Sequence, residues 1–243
     1  MRTAAVLPVK RFSRAKQRLS ANVAAEQRLA LARAMVDDVL LALHRTPSIE
    51  LTIVVSGERS LAPVAAERGA VLIADDLEGG QSAAVVNGVE RALADGFERV
   101  LCVPGDCPGL DPAELEELLA VDGGAAIVAG SRPATGASAS VRDVVVIPDR
   151  HGTGTNGLLL TPPDVIEPAF GEGSCARHLA LARAAGVAPR VARPPSLLLD
   201  IDTRADLDAL RVHLEAAGAS SSHTREVLER HLTTRATPLA TGA

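Results

Sequence analysis

The sequence predicts an α/β domain of three layers, α/β/α and Rossmann-like, in which a mostly parallel central sheet carries helices on both faces. Short β-branched runs alternate along the chain with longer segments whose apolar residues recur at helical spacing. This order favours parallel strands joined by right-handed crossovers. The length of 243 residues and the hydrophobic fraction of 47% suit one core. We therefore predict a single domain over residues 1–217, followed at 218–243 by a linker and a flexible C-terminal tail.

The first part of the chain supplies three strands and two helices. Strands are predicted at Thr3–Val9, Leu51–Val55 and Ala70–Ala74, each a short apolar run that ends at polar or glycine residues. Helices are predicted at Ala24–Leu43 and Ser60–Arg68, where the apolar residues repeat every three to four positions.

The remainder of the chain continues the same alternation. A helix that opens in the stretch Asp75–Ala84 is predicted to run to about Ala94. A strand is predicted at Arg99–Val103, and a helix from Pro112 to Leu119 with proline in its first turn. Residues 130–140 are rich in Gly, Ala and Ser and predict a flexible loop. Further strands are predicted at Ala125–Ala129, Val144–Ile147, Leu158–Leu160 and Arg190–Ala192. Further helices are predicted at Ser174–Ala185, Thr203–Ala216 and Glu226–Leu232.

The composition excludes several classes of partner. Trp and Tyr are absent, Phe occurs three times and the net charge is −5, so stacking or phosphate-backbone binding to nucleic acid is not expected.

The three cysteines have no metal-binding spacing and predict reduced thiols. The sequence shows neither a signal-peptide core nor a spanning segment, so no membrane association is predicted and we expect a cytoplasmic protein.

A dense basic cluster follows the first predicted strand, at Lys10, Arg11, Arg14, Lys16 and Arg18. Ligands of α/β sheets gather at the carboxyl ends of strands, so a basic loop there is expected to meet the phosphates of a nucleotide. A solvated loop is the alternative, and for Arg11 and Arg14 the two interpretations are equally weighted.

Two glycine-rich segments are candidates for anion binding. The first, from Ile147 to Leu160, places glycines and hydroxyl or amide side chains, including Thr155, between two apolar runs. The second, from Phe170 to Leu179, leads into a helix for which Ser174 is a candidate N-cap, leaving N-terminal amides available to an anion. A hairpin turn facing water is the alternative for the first segment, but two such segments so close together suggest one shared site.

These segments also carry a family resemblance. The HGTGTN run, the Pro-Pro that follows it and the FGEGSCARH segment resemble the 2-phospho-L-lactate / phosphoenolpyruvate guanylyltransferases of coenzyme F-420 biosynthesis. The resemblance extends from about Thr3 to Leu210 and implies a nucleotidyltransferase-like fold and metal-dependent guanylyl transfer from GTP to a small phosphorylated acid. Lys10, Lys16 and Arg18 fit the VPVK…AKxRL pattern of the family, which implies that they contact the GTP phosphates.

The base is expected at the start of the helix that begins near Gln81. In nucleotidyltransferases of this type the corresponding loop reads the base, so the resemblance implies contacts from Gly80, Gln81 and Ser82. Gln81-Ser82 departs from the Leu-Asn pattern that is frequent in the family, although both side chains can hydrogen-bond a base edge. An N-cap role for Ser82 is the structural alternative.

Three aspartates are predicted to hold Mg²⁺. Asp106 follows the Arg99–Val103 strand, and Mg²⁺ binds through one or two carboxylates together with substrate phosphates. Asp200 and Asp202 are two residues apart, so in an extended segment their carboxylates would lie on one face. For Asp202 the alternative is to cap the helix predicted at Thr203.

The predicted reaction joins GTP to phosphoenolpyruvate, giving enolpyruvoyl-2-diphospho-5'-guanosine and diphosphate, with Lys16 and Asp106 as catalytic residues. The acid is expected at Thr155, Gly171 and Ser174. A composition rich in Ala, Arg and Gly is typical of a high-GC actinobacterial genome, for which the resemblance implies phosphoenolpyruvate. Alternative acceptors are 2-phospho-L-lactate and 3-phosphoglycerate, and a downstream transferase is a candidate partner. Sugar-phosphate nucleotidyl transfer and a non-catalytic nucleotide-binding module are the remaining alternatives.

Overall fold

A seven-stranded sheet forms the centre of the protein, in a computed structural model that describes residues 1–21, 23–120, 141–216 and 222–232. The strand predicted at 125–129 and the loop predicted at 130–140 lie outside these residues. The strands are β1 (Thr3–Val9), β2 (Leu51–Ser56), β3 (Val71–Ala74), β4 (Arg99–Cys102), β5 (Asp143–Pro148), β6 (Thr155–Thr161) and β7 (Arg190–Val191).

The strand order is β3-β2-β1-β4-β6-β5-β7, and β6 alone among these strands runs against the others. The prediction of a mostly parallel sheet is therefore confirmed. Because β6 is reversed, it begins at the edge where the parallel strands end. The residues after Val9, Cys102 and Pro148 thus share one edge of the sheet with Thr155 at the start of β6.

Helices cover both faces of the sheet, as predicted for three layers. They are α1 (Ala25–His44), α2 (Ala62–Glu67), α3 (Gln81–Ala94), α4 (Pro112–Ala120), α5 (Ser174–Ala184), α6 (Arg204–Ala216) and α7 (Ser222–Leu232). Alternate strand residues point to opposite faces: Ala5 and Leu7 pack with α1, α2 and α4, whereas Ala4 and Val6 pack with α3 and α5. No helix within the described ranges has both the length and the apolar character needed to cross a membrane.

The close packing of α3 on the sheet depends on a glycine. A Cβ at Gly88 would lie 2.4 Å from Cγ1 of Val6 on β1, a distance that no carbon pair tolerates. The core is built mainly from Ala, Val, Leu and Ile, as the scarcity of aromatic residues predicted, with Phe12, Phe97, Met35 and the three cysteines among them. The small side chains let the helices approach the sheet closely.

The C-terminal segment differs from the predicted linker and short helix. The helix α7 begins at Ser222, four residues before the predicted Glu226, and it packs against α1. Its Leu228 joins a third apolar cluster with Leu31 and Met35 of α1 and Leu207 and Leu210 of α6. Residues 217–221 and 233–243 lie outside the described residues, so the flexible tail stays a prediction.

The buried carboxylate of Asp38 on α1 explains where α7 begins. It accepts hydrogen bonds from the backbone N–H groups of His223 (3.1 Å) and Thr224 (2.8 Å), and it contacts Nδ1 of His223 at 2.9 Å. Asp38 is fully buried, so one carboxylate of α1 caps the first turn of another helix.

We predict that Asp38→Ala lowers the free energy of unfolding by ~2 kcal/mol, the cost of a lost helix cap, and releases α7. Chemical denaturation measures the first effect, and hydrogen exchange at residues 222–232 measures the second. Glu90→Ala, at an exposed site on α3, is the control and should change neither. Unchanged exchange in α7 of the Asp38 variant would show that its apolar contacts alone fix the helix.

Candidate active site

A cavity of about 420 Å³ lies at the edge where the parallel strands end. Its walls are the loop after β1, the loop between β3 and α3, and the turn after β4. Four of the six residues predicted to bind the nucleotide line it, namely Lys10, Lys16, Gly80 and Gln81, and Asp106 lines it as well.

Lys16 is the most constrained residue of the cavity wall. It adopts a left-handed backbone conformation (φ 55°) between two 3₁₀ turns, and its side chain is only 5% exposed. The ammonium lies 2.7 Å from Oδ2 of Asp106 and 3.4 Å from Oδ1 of Asp202. Burial on its own would lower the pKa of Lys16, but the attraction and hydrogen bonding of these two carboxylates outweigh it and raise the pKa. Lys16 therefore remains a charged ammonium in the site.

The three predicted metal ligands lie near one another, but they do not form a ready metal site. Within 1–21, 23–120, 141–216 and 222–232, no three His, Cys, Asp or Glu side chains are grouped to hold a metal ion. Lys16 contacts both Asp106 and Asp202. Asp200 accepts a hydrogen bond from Asn156 (3.2 Å); burial raises its pKa, and the charges of Asp106 and Asp202 raise it further.

The segment that carries Asp200 and Asp202 belongs to no helix or strand. The N–H of Ile201 donates to the carbonyl of Asp106 at 3.2 Å, which ties this segment to the turn after β4. The alternative, that Asp202 caps α6, is not seen, because Asp202 pairs with Lys16 and Arg18.

Thr203 and Asp206 cap α6 instead. Asp206 N–H donates to Oγ1 of Thr203 (3.3 Å), and Thr203 N–H donates to Oδ2 of Asp206 (2.6 Å), which is a reciprocal capping box. Asp206 also accepts from the N–H of Asp202 (2.9 Å) and forms an ion pair with Arg150. The loop after β5 is thereby fixed to the start of α6.

Two amides of the first glycine-rich segment are bound within the segment and so are not available to an anion. The N–H groups of Thr153 and Gly154 each donate to the side chain of Asp149 at 2.9 Å. Burial would raise the pKa of Asp149, but these backbone donors lower it overall. Asn156 is also occupied, since its Nδ2 donates to the carbonyl of Leu197 and to Asp200.

The two glycine-rich segments meet, as the prediction of a shared site requires. Cys175 N–H donates to the carbonyl of Thr153 (3.2 Å), and Oγ1 of Thr155 lies 3.0 Å from Nδ1 of His178. Ser174 is buried and is the first residue of α5, whereas the N-cap is Gly173 in the left-handed region (φ 69°), so the predicted cap is off by one residue. The three residues predicted to bind the acid thus lie on segments in direct contact.

Ser82 and Arg18 have positions that differ from those predicted. Ser82 does not line the cavity; its Oγ accepts the N–H of Phe170 at 2.9 Å and so connects α3 to the second glycine-rich segment. Gly80, not Ser82, is the N-cap of α3. Arg18 pairs with Asp202 at 3.1 Å and its side chain is 76% exposed, so it lies outside the cavity wall.

Arg11 and Arg14, which the sequence left undecided, line the cavity. Both form ion pairs with Glu78, Arg14 at 2.5 Å. The hydrogen bond from Arg11, followed by the charges of both arginines, lowers the pKa of Glu78. The density of the basic cluster was the signal that could have identified them. A cavity with ammonium and guanidinium groups on one wall and carboxylates at its base suits a polyphosphate.

Sequence and structure comparisons agree with this geometry. The family model described as guanylyl transferase CofC like matches residues 3–138 and 134–236. A phosphoenolpyruvate guanylyltransferase from Conexibacter woesei is 47% identical, with 96% of this chain and 98% of the relative covered. A 2-phospho-L-lactate guanylyltransferase from Methanothermobacter thermautotrophicus is 30% identical (95% and 91% covered), and a 3-phospho-D-glycerate guanylyltransferase from Colwellia psychrerythraea is 32% identical (86% of each covered).

A solved structure supports the fold. A nucleotidyl transferase from Methanothermobacter superposes with a TM-score of 0.57 at 21% identity, covering 88% of this chain and 98% of that one. The resemblance inferred from the two glycine-rich motifs is confirmed, and so is the nucleotidyltransferase-like α/β fold. The chain belongs to the CofC-like guanylyl transferase family and is an enzyme of the nucleotidyltransferase type.

Proposed function

We propose that the protein transfers the guanylyl group of GTP to phosphoenolpyruvate in coenzyme F-420 biosynthesis. A phosphate oxygen of the acid attacks the α-phosphorus of GTP, and the bond from that phosphorus to the bridging oxygen of the β-phosphate breaks. The products are enolpyruvoyl-2-diphospho-5'-guanosine and diphosphate. The observation that carries the proposal is the connection between the basic cavity and the two joined glycine-rich segments. Asp106 of the cavity wall accepts the N–H of Ile201, and the neighbouring Asp200 accepts a hydrogen bond from Asn156 of the first segment.

The cavity provides the nucleotide site of this proposal. Lys10 and Lys16 contact the triphosphate together with Arg11 and Arg14, while Arg18 acts through Asp202. Gly80 and Gln81 read the guanine, and Ser82 supports them by its hydrogen bond to Phe170. Catalysis comes from positioning and charge neutralisation, with Lys16 and Asp106 at the reacting phosphates.

Mg²⁺ is the proposed cofactor, and the residues present fit it. Three carboxylates lie close enough to raise the pKa of Asp200 in part by mutual repulsion, so a cation there relieves a surplus of negative charge. The absence of a complete protein ligand set among the described residues suits Mg²⁺, which takes one or two carboxylates and completes its shell with waters and substrate phosphates. When bound, the ion neutralises charge on the phosphates. Asp106, Asp200 and Asp202 are the proposed ligands.

The acid lies at Thr155, Gly171 and Ser174 in this proposal. Phosphoenolpyruvate is the first choice because the 47% identical relative is named for it, whereas relatives named for 2-phospho-L-lactate and 3-phospho-D-glycerate mark the alternatives. These acids differ by little more than a double bond or a hydroxyl, which a pocket discriminates weakly without a dedicated polar group. A downstream transferase consumes the activated acid, and we expect both steps in the cytoplasm.

Mass spectrometry tests the proposed function directly. GTP and Mg²⁺ are incubated with each of the three acids in turn, and a downstream transferase is added to trap an unstable product. The expected result is the guanylylated acid and diphosphate with phosphoenolpyruvate. If the guanylyl group is transferred to another of the three acids and not to phosphoenolpyruvate, that acid is the acceptor. If it is transferred to none of them, the proposed function is refuted.

We predict that Thr155→Val and Ser174→Ala each lower kcat/KM for the acid by about 10- to 150-fold. This is the loss of one hydrogen bond to a charged acceptor, worth about 1.5–3 kcal/mol. The affinity for GTP should stay unchanged in a direct binding measurement. Thr46→Val is the matched control, because this buried Thr donates to the Ala42 carbonyl at the end of α1. Weakened GTP binding with normal acid kinetics would contradict the assignment.

A second prediction concerns Lys16→Ala, which removes the buried ammonium next to the triphosphate. The KM for GTP should rise and kcat should fall, because the variant lacks a cation that neutralises charge in the transition state. Steady-state kinetics at saturating acid measure both effects. Arg45→Ala, an exposed cation at the far end of α1, should behave as wild type. A normal KM for GTP and a normal kcat in the Lys16 variant would show that Lys16 has a purely structural role.

We also predict that Asp106→Asn and Asp200→Asn abolish Mg²⁺-dependent transfer. Without metal, the melting temperature should stay close to wild type in Asp200→Asn, whereas Asp106→Asn should lower it because the buried Lys16 ammonium loses one of its carboxylate partners. Each change removes a charge that the cation needs but keeps the size and polarity of the side chain. Titration of Mg²⁺ at fixed GTP and acid, with thermal melts beside it, provides the two readouts. Full Mg²⁺-dependent activity in either variant would exclude that carboxylate as a ligand.

A further inference from the structure

We propose that His178 is a positioning residue that orients the hydroxyl of Thr155 as a hydrogen-bond donor toward the anionic group of the acid. This inference rests on the proposed function, because it takes Thr155 as a contact of the acid. His178 lies four residues after the start of α5 and has no exposed surface.

The hydrogen bonds of the imidazole fix which nitrogen carries the proton. Nε2 of His178 lies 2.9 Å from the backbone nitrogen of Ala169, and a backbone N–H can only donate. Nε2 must therefore accept, so the proton of the neutral ring is on Nδ1. The ring does stay neutral, because burial and, to a smaller extent, the charge of Arg177 lower the pKa of His178 to about 4.

The protonated Nδ1 faces the hydroxyl of Thr155 at 3.0 Å. An Nδ1–H group donates, so the Thr155 oxygen accepts and spends one of its lone pairs on His178. The proton of the Thr155 hydroxyl therefore takes no part in the hydrogen bond with His178. In the part of the chain that the structure describes, the Thr155 hydroxyl makes no second hydrogen bond, so its proton can be donated to a ligand.

The ring of His178 is prevented from turning to another orientation. The Phe170 ring lies against its edge at 5.0 Å between centroids, with an interplanar angle of 71°. Arg177 holds the same segment by donating to the carbonyls of Ala169 (2.8 Å) and Glu172 (2.8 Å). His178 therefore accepts a hydrogen bond from the backbone of one glycine-rich segment at Nε2 and donates one to the hydroxyl of the other at Nδ1.

A consequence for substrate class follows from this arrangement. A hydroxyl whose proton is directed away from His178 and toward the ligand favours a group that accepts strongly, such as an ionised phosphate or carboxylate oxygen. The Nδ1–H of His178 already uses one lone pair of this hydroxyl, which leaves its proton for the acid. The contact at Thr155 therefore favours the ionised form of the acid.

Nitrogen NMR of protein with ¹⁵N-labelled histidine tests the tautomer without any activity measurement. The His178 signals are identified by their loss in His178→Gln, and the expected pattern at neutral pH is a protonated Nδ1 with an unprotonated Nε2. Free histidine prefers the opposite tautomer, so the result is diagnostic. A protonated Nε2 would overturn the proposal.

A double-mutant cycle tests the action through Thr155. His178→Gln is chosen because its Oε1 can replace Nε2 as the acceptor for Ala169 while the donor to Thr155 is lost. We expect about a tenfold loss in kcat/KM for the acid with unchanged GTP affinity, and no further loss when the change is added to Thr155→Val. His178→Asn, whose amide can donate near the Nδ1 position, should recover part of the loss.

Losses that multiply in the double variant, or equal losses in the Asn and Gln variants, would assign His178 a merely structural role. These outcomes differ from failure of the proposed function. Absence of guanylyl transfer by the wild-type enzyme, or normal acid kinetics in Thr155→Val, would remove the acid from Thr155 and with it this inference. A wrong tautomer with transfer intact would refute the role of His178 alone.

Discussion

The buried ammonium of Lys16 is the interaction on which the rest of the site depends. It connects the loop after β1 to the turn after β4 through Asp106, and to the segment before α6 through Asp202. These three pieces of chain are far apart in sequence. Backbone hydrogen bonds bring them together, because β1 pairs with β4 and the N–H of Ile201 donates to the Asp106 carbonyl. Removing one member of such a buried pair leaves an uncompensated charge, which costs more than the pair contributes when intact. The ion pairs of Lys16 therefore fix the side chains of this part of the cavity on a backbone that the sheet has already aligned.

The glycine-rich segments show how few polar groups in a motif are free to act on a ligand. Asp149 accepts the amides that would suit an anion, Arg150 pairs with Asp206, and Asn156 bonds Leu197 and Asp200. Each of these contacts fixes one loop against another. Thr155 differs, because its neighbour His178 occupies only the acceptor side of its hydroxyl. Most of the polar groups of this motif therefore join one loop to another, and the Thr155 hydroxyl is the group proposed to meet the acid.

The fold was readable from the sequence because alternation and helical spacing report which side of each element is buried. Lys16 and Asp106 were likewise identified by their place after strands β1 and β4. The partners of side chains across elements were not readable: nothing in the local sequence indicates that Ser82 accepts the N–H of Phe170 or that Asp38 caps α7. Asp200 and Asp202 were assigned to one face from their spacing, but the sequence did not indicate that Ile201 between them donates to the Asp106 carbonyl. Such contacts depend on tertiary geometry, which periodicity does not encode.

The reversed direction of β6 has a consequence for how enzymes of this architecture can diversify. A parallel strand brings only its last residue and the following loop to the edge of the sheet where the parallel strands end. The β5–β6 hairpin brings both the end of β5 and the start of β6 to this edge. Insertions or exchanges between Pro148 and Thr155 would change this edge of the sheet while the register of Val144–Val146 with Leu158–Leu160 stays the same. Under the proposed assignment, the loop beside the acid could therefore vary without disturbing the parallel strands that carry the residues proposed for the nucleotide.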